Sequence, residues 1–105
     1  IELFINNIKI LKLNNSTKHL ICQNCNIQNI ELNTCLMSLD ASNNKLKKIE
    51  LNFELKEANL LLNPIQNIRL NENLTKLYVS HPENKFIEID NSIGNKNLEI
   101  NYYIN

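Results

Sequence analysis

The chain of 105 residues sets 11 Lys and Arg against 11 Asp and Glu. Zero formal charge removes the long-range field by which proteins capture nucleic acid or anionic lipid, so neither partner is expected. No stretch approaches the ~18 apolar residues of a membrane span and no charged head with an apolar run marks a signal peptide, while the lack of an initiator Met leaves an upstream segment open.

About a fifth of the residues are Asn, a bias that usually reads as low complexity, but the apolar residues are spaced too regularly for that. Leu-Asn recurs at Leu13-Asn14, Leu32-Asn33, Leu51-Asn52 and Leu70-Asn71, 19 residues apart each time. A fixed period of this kind means one supersecondary unit stacked on copies of itself, because a single short turn cannot bury its own apolar side. A single repeat domain over 1–105 is expected, with turns at 1–19, 20–38, 39–57 and 58–76, a longer one at 77–97 and a C-terminal cap at 98–105.

In chain order, each turn opens on an apolar alternation, as in Leu20-x-Cys22, Leu39-x-Ala41, Ala58-x-Leu60 and Leu77-x-Val79. This is the period of a strand with one buried face. The sixth position follows, with Asn6, Cys25, Asn44, Asn63 and Pro82, then Ile8, Ile27, Leu46 and Ile65 at the eighth. An inward Asn amide there can pair backbone groups of adjacent turns that leave the strand without a ladder partner. Positions eleven and thirteen give Leu11/Leu13, Ile30/Leu32, Ile49/Leu51 and Ile68/Leu70, again with a period of two, which predicts a second extended piece rather than a helix. Asn84 and Lys85 push the fifth turn out of register, so Phe86 and Ile89 fit the core columns only after a two-residue insertion. With Gly94 the only glycine, Asn is expected to supply the left-handed turn residues.

The segments Leu36-x-x-Leu39-x-Ala41-x-x-Asn44-x-Leu46 and Leu55-x-x-Ala58-x-Leu60-x-x-Asn63-x-Ile65 match the pattern L-x-x-L-x-L-x-x-N/C-x-L and resemble the leucine-rich repeat family. Thr17 and Cys25 fit the second turn to the same pattern. The short repeat is similar to helix-poor members such as internalin-like bacterial proteins and the repeat proteins of insect poxviruses. The resemblance implies a right-handed, β-rich superhelix of five to six turns, with parallel strands on a concave face and extended segments with little helix on the convex face. A closed β-helix with three sheets is the alternative geometry.

The residues give little chemistry. His19, Cys22 and Cys25 have suggestive spacing, but the repeat register sends His19 to one face and puts Cys22 and Cys25 in core and ladder slots, while Cys35 lies on another side of the coil. Neither a metal site, a cofactor nor a needed disulfide is expected. An odd count of cysteines, with Cys22 and Cys25 in inward slots, favours a reducing compartment. Stacking lines up His19, Ser38 and Glu57, yet a triad needs His between nucleophile and carboxylate, so no enzyme is expected. Lys45, Lys47 and Lys48 form the only basic cluster, too small for a nucleic-acid footprint. Lys12, Glu31, Glu50 and Arg69 read as a solvated charge column. The Asn-x-Ser/Thr sequons at 14–17 and 73–75 read as accidents of composition.

What remains is the outward face of the first strand in each turn: Glu2/Phe4, Ile21/Gln23, Asp40/Ser42, Asn59/Leu61, Tyr78/Ser80 and Glu99/Asn101. The family resemblance implies a protein partner on that concave face, with Leu61 and Tyr78 at its centre and Ile21, Asp40 and Asn59 beside them. A structural or spacer array within a larger protein is the alternative. Ile1 to Ile5 open on strand-like apolar residues without a cap, which predicts self-association through the N-terminal edge or further residues upstream. Tyr102, Tyr103 and Ile104 are expected to fold over the last turn.

Overall fold

A computed structural model describes residues 9–13, 15–82 and 85–104. The N-terminal-edge association, the outward positions Glu2 and Phe4, and the ladder position Asn6 lie outside them. The described residues form ten short strands and no helix: β1 (Ile10–Lys12), β2 (His19–Ile21), β3 (Asn29–Glu31), β4 (Ser38–Asp40), β5 (Lys48–Glu50), β6 (Glu57–Asn59), β7 (Asn67–Arg69), β8 (Lys76–His81), β9 (Glu88–Asp90) and β10 (Glu99–Ile104).

The even-numbered strands form one parallel sheet in the order β10-β8-β6-β4-β2, and the odd-numbered strands form a second stack of β1-β3 and β5-β7-β9. The chain therefore alternates between two strand stacks, completing a β-solenoid of about five turns. Register follows the 19-residue repeat: Leu20 pairs with Leu39, Leu39 with Ala58 and Ala58 with Leu77 in the first stack, and Ile49 pairs with Ile68 in the second. Identical columns stack because a slip of one residue would turn every apolar side chain to solvent. The central columns are sealed, with Leu36, Leu46, Leu55, Leu60, Leu74 and Leu77 at 0 % exposure. Truncating one of these to Ala would cost about 2–5 kcal/mol through lost transfer energy and the cavity left behind.

Asn holds the corner after β4 and β6, as the sixth position predicts. Asn44 Oδ1 accepts from the backbone N–H groups of Cys25 (2.9 Å) and Ile27 (3.0 Å), and its Nδ2 donates to the carbonyls of Cys22 and Ala41, both at 2.9 Å. Asn63 repeats this one turn on, donating to Ala41 O at 2.9 Å and accepting from Leu46 N at 3.1 Å. Cys25 keeps part of the function, its Sγ donating to Gln23 O at 3.3 Å. The residue before each of these slots is left-handed, with φ of 55° at Asn24, 56° at Asn43 and 57° at Leu62. Asn is suited to that conformation; Leu is not.

The fifth turn departs from the pattern for a physical reason. Pro82 occupies the ladder slot and has no amide to offer, and β8 continues straight to His81 instead of turning. Ser80, expected to face outward, is buried, and its Oγ accepts from Leu62 N at 2.7 Å. It replaces the carbonyls of Ser42 and Leu61, which serve Asn24 N and Asn43 N in earlier turns. Phe86, expected in the core, is 87 % exposed and lies 6.2 Å from the His81 ring. Ile87 and Ile89 are half-buried and pack against the core, and Ile89 pairs with Ile68, so the insertion does restore register by β9.

The C-terminal residues extend the first-stack sheet. Tyr102, Tyr103 and Ile104 do not fold over the last turn; they continue β10, pairing with Val79, Ser80 and His81, and are 53, 51 and 66 % exposed. Continuous pairing along six residues satisfies the backbone on that side, which a folded-back tail would leave unpaired.

Candidate functional site

The outward face of the five-stranded sheet carries its side chains in rows set by strand register. One row is Ile21, Asp40, Asn59, Tyr78 and Asn101; beside it run His19, Ser38, Glu57, Lys76 and Glu99. Four of the five expected contact residues thus lie in one line across consecutive turns. Leu61 stands two residues beyond Asn59, past the end of β6, so it meets the Tyr78 strand on the diagonal rather than directly opposite. Ile21 is 41 % exposed, whereas Asp40, Asn59, Leu61 and Tyr78 are half-buried.

The polar members of the row are fixed by their own loops. Asp40 Oδ1 accepts from Ser42 N (3.1 Å) and Ser42 Oγ (2.8 Å), and Oδ2 accepts from Gln23 Nε2 at 2.6 Å. Asn59 Oδ1 accepts from Leu61 N at 3.1 Å. Both side chains close turns of the kind that short polar residues make with the backbone two positions on. They present a preset surface, and in Asp40 both carboxylate oxygens are already engaged.

In the neighbouring row His19 Nδ1 lies 2.6 Å from Ser38 Oγ, and Glu57 stands on the far side of Ser38. The register therefore puts Ser38 between the imidazole and the carboxylate, as the sequence order predicts, and Glu57 does not orient the ring. Among the described residues no group of three or more His, Cys, Asp or Glu is placed to hold a metal ion. Cys22 and Cys25 are fully buried and Cys35 half-buried, all three as free thiols. Burial, helped by Cys25 and Asp40 nearby, pushes the Cys22 thiol up to about 12. It stays protonated and a poor nucleophile near neutral pH.

The second stack has a different outer surface. Lys12 pairs in register with Glu31, and Arg69 bridges Glu50 (3.7 Å) and Asp90 (3.4 Å) on the adjoining turns. Hydrogen bonds from Ser92, with a smaller contribution from Arg69, hold the Asp90 carboxyl below the usual range. Beside this column an open cavity of about 620 Å³ is lined by Lys45, Lys47 and Lys48 together with Gln28, Gln66 and Asn67.

Two features escape sequence reasoning. A cluster of rings forms around His81, with Phe86 at 6.2 Å and Tyr102 at 6.1 Å; it depends on Phe86 leaving the core, which the column pattern argues against. The second is another asparagine ladder. Asn71 Nδ2 donates to Leu55 O at 2.9 Å and its Oδ1 accepts from Leu74 N at 2.8 Å, while Asn52 donates to Leu36 O at 2.8 Å and Asn95 to Leu74 O at 2.9 Å. The signal was present, since the recurring Leu-Asn pair marks the repeat, but alternation alone assigns that Asn no partner.

Comparison of the chain with protein-family models, with curated proteins and with solved structures finds no match.

Proposed function

We infer that this chain is a non-catalytic binding scaffold of the leucine-rich repeat type, a right-handed superhelix whose outward face on the five-stranded sheet docks a protein partner. The observation that carries this reading is the unbroken row of Ile21, Asp40, Asn59 and Tyr78 across four consecutive strands, with Leu61 alongside. Such a row mixes apolar groups with polar ones already held by their turns. A partner meeting it needs no loop to order, which removes one of the main costs of association. Tyr78 supplies an amphipathic aromatic of the type enriched at interface centres. The alternative, a structural or spacer array, draws support from Asp40, whose oxygens are spent on Gln23 and Ser42.

A double change of Leu61 and Tyr78 to Ser separates the two readings. In a binding module it weakens affinity for a partner captured by the unmodified chain by ~2 kcal/mol or more, the scale of a hot spot, and the folded circular-dichroism spectrum is retained. Glu31→Ser with Glu50→Ser, on the opposite stack, is the control and leaves affinity unchanged. If the control abolishes capture and the Leu61/Tyr78 change does not, the contact surface is elsewhere.

A further inference from the structure

The chain is electrically neutral, yet its charge is not evenly mixed. Three of its lysines, Lys45, Lys47 and Lys48, fall on one turn, where the chain passes from the first stack to the second, and line one open cavity of about 620 Å³. No carboxylate shares that lining. Each flanking turn adds amides: Gln28 from the turn before, Gln66 and Asn67 from the turn after.

The backbone fixes this arrangement. The Lys47 carbonyl accepts from both Gln66 N (2.6 Å) and Asn67 N (3.2 Å), and Lys48 pairs in register with Asn67. The backbones that carry the amides are therefore held beside those that carry the lysines at the spacing of adjacent strands, about 4.8 Å. Among the described residues none of these six side chains makes a hydrogen bond or an ion pair within the chain. Some charged and amide groups elsewhere in the solenoid are used internally: Arg69 bridges two carboxylates, Asp40 closes a turn, and Asn44 and Asn63 tie the corners. Lys48 and Asn67 also line the adjoining cavity, which carries Glu50, Glu88, Asp90 and Arg69. Glu50, on the Lys48 strand, is paired to Arg69, and Glu88 lies one turn beyond Asn67.

Three unpaired ammonium groups with three amide donors on a rigid ladder suit a compact, multiply charged oxyanion. We propose that this corner binds a di- or triphosphate group, with Lys45, Lys47 and Lys48 neutralising its charge and the side-chain amides of Gln28, Gln66 and Asn67 donating to its oxygens. Lys meets phosphate as a point charge and needs no planar fork. A site of this size takes a few neighbouring phosphates and does not require the extended footprint of a nucleic acid. It is separate from the row on the five-stranded sheet and does not rest on the partner-binding reading.

The test is an amide-resolved NMR titration of the intact chain with inorganic triphosphate at low salt, repeated with orthophosphate, with the dicarboxylate malonate and with a sulfated oligosaccharide. Saturable shifts confined to 28–29, 45–48 and 66–67, stronger for triphosphate than for orthophosphate or malonate and weakened by added salt, are expected. Lys47→Gln with Lys48→Gln should lose about tenfold or more in affinity, and Lys12→Gln with Lys76→Gln should change it by less than about twofold. Because all four substituted lysines are exposed, both double variants are expected to stay folded, checked by unchanged chemical shifts in the core columns. Shifts that do not saturate, equal losses in the two double variants, or equal affinity for malonate would overturn the site. Sulfated oligosaccharide binding at these residues without triphosphate binding would overturn the phosphate assignment.

Discussion

The two corners of each turn solve the same problem with different residues. Where the first stack turns toward the second, the corner is tight: a left-handed residue at Asn24, Asn43 or Leu62 precedes the inward slot of Cys25, Asn44 or Asn63. Where the second stack returns to the first, Asn33, Asn52 and Asn71 sit in a wider turn with no left-handed residue before them. The first ladder ends at Pro82. The second persists by moving along the chain, with Asn95 reaching Asn71 O at 3.0 Å and Leu74 O at 2.9 Å, preceded by left-handed Gly94 at φ 82°. A corner held by one amide can thus tolerate an insertion, provided a later Asn reaches the same carbonyls.

Substitution at the ladders is the strongest way to break this comparison. Asn44→Ala removes an amide that ties its own turn to the one before and takes that partner from the buried backbone groups of Cys22, Cys25 and Ile27, so a loss near the upper end of ~1–3 kcal/mol is expected. Asn71→Ala should fall within the same range, because Asn71 also joins its own turn to the one before. Asn52→Ala should cost less, ~1 kcal/mol, since only its Nδ2 is engaged and its buried Oδ1 has no partner. Denaturant midpoints measured at constant slope give the ranking. Equal, negligible shifts for Asn44 and Asn71 would refute both ladders.

Asn91→Ala is not a neutral change, although the residue is exposed. Asn91 Nδ2 donates to Asn95 O at 3.1 Å and Oδ1 accepts from Asn95 N at 2.9 Å, holding the turn that buries Asn95. Its removal is expected to cost ~1 kcal/mol, and Asn97→Ala, exposed and with no side-chain bond, replaces it as the control with a shift within ~0.5 kcal/mol. An unchanged midpoint for Asn91→Ala would show that Asn95 keeps its place without that turn.

The legible part of the fold was its period. Stacking identical columns fixed the strand register, the inward places of Leu20, Leu39, Ala58 and Leu77, and the amide at Asn44, because burial and backbone satisfaction act on the same residues in every turn. What could not be read was local to the turn that breaks the period. Nothing in the spacing of Val79, Ser80 and His81 says that β8 runs on, that Ser80 turns inward to receive Leu62 N, or that Phe86 leaves the core. Of the candidate surface, the Ile21-Asp40-Asn59-Tyr78 row followed directly from strand alternation. The hydrogen bonds that occupy Asp40 and Asn59 did not, because side chains closing on their own loops leave no mark in the repeat.

The smallest effect tests the left-handed corner itself. Asn24, Asn43 and Leu62 hold the same place in consecutive turns and share φ within 55–57°, but only Leu62 has a branched apolar side chain there, and it is 58 % exposed. It gains little from burial and carries the steric cost of Cβ against its own carbonyl, ~1–2 kcal/mol for a residue without a compensating local bond. Leu62→Asn should recover part of that cost and stabilise the solenoid by ~0.5–1 kcal/mol. Asn43→Leu, which recreates the mismatch one turn earlier, should destabilise by a similar amount. Opposite signs of midpoint shift for the two variants are the signature; if both destabilise, Leu62 earns its place by a contact of its side chain and the corner is not governed by backbone preference alone.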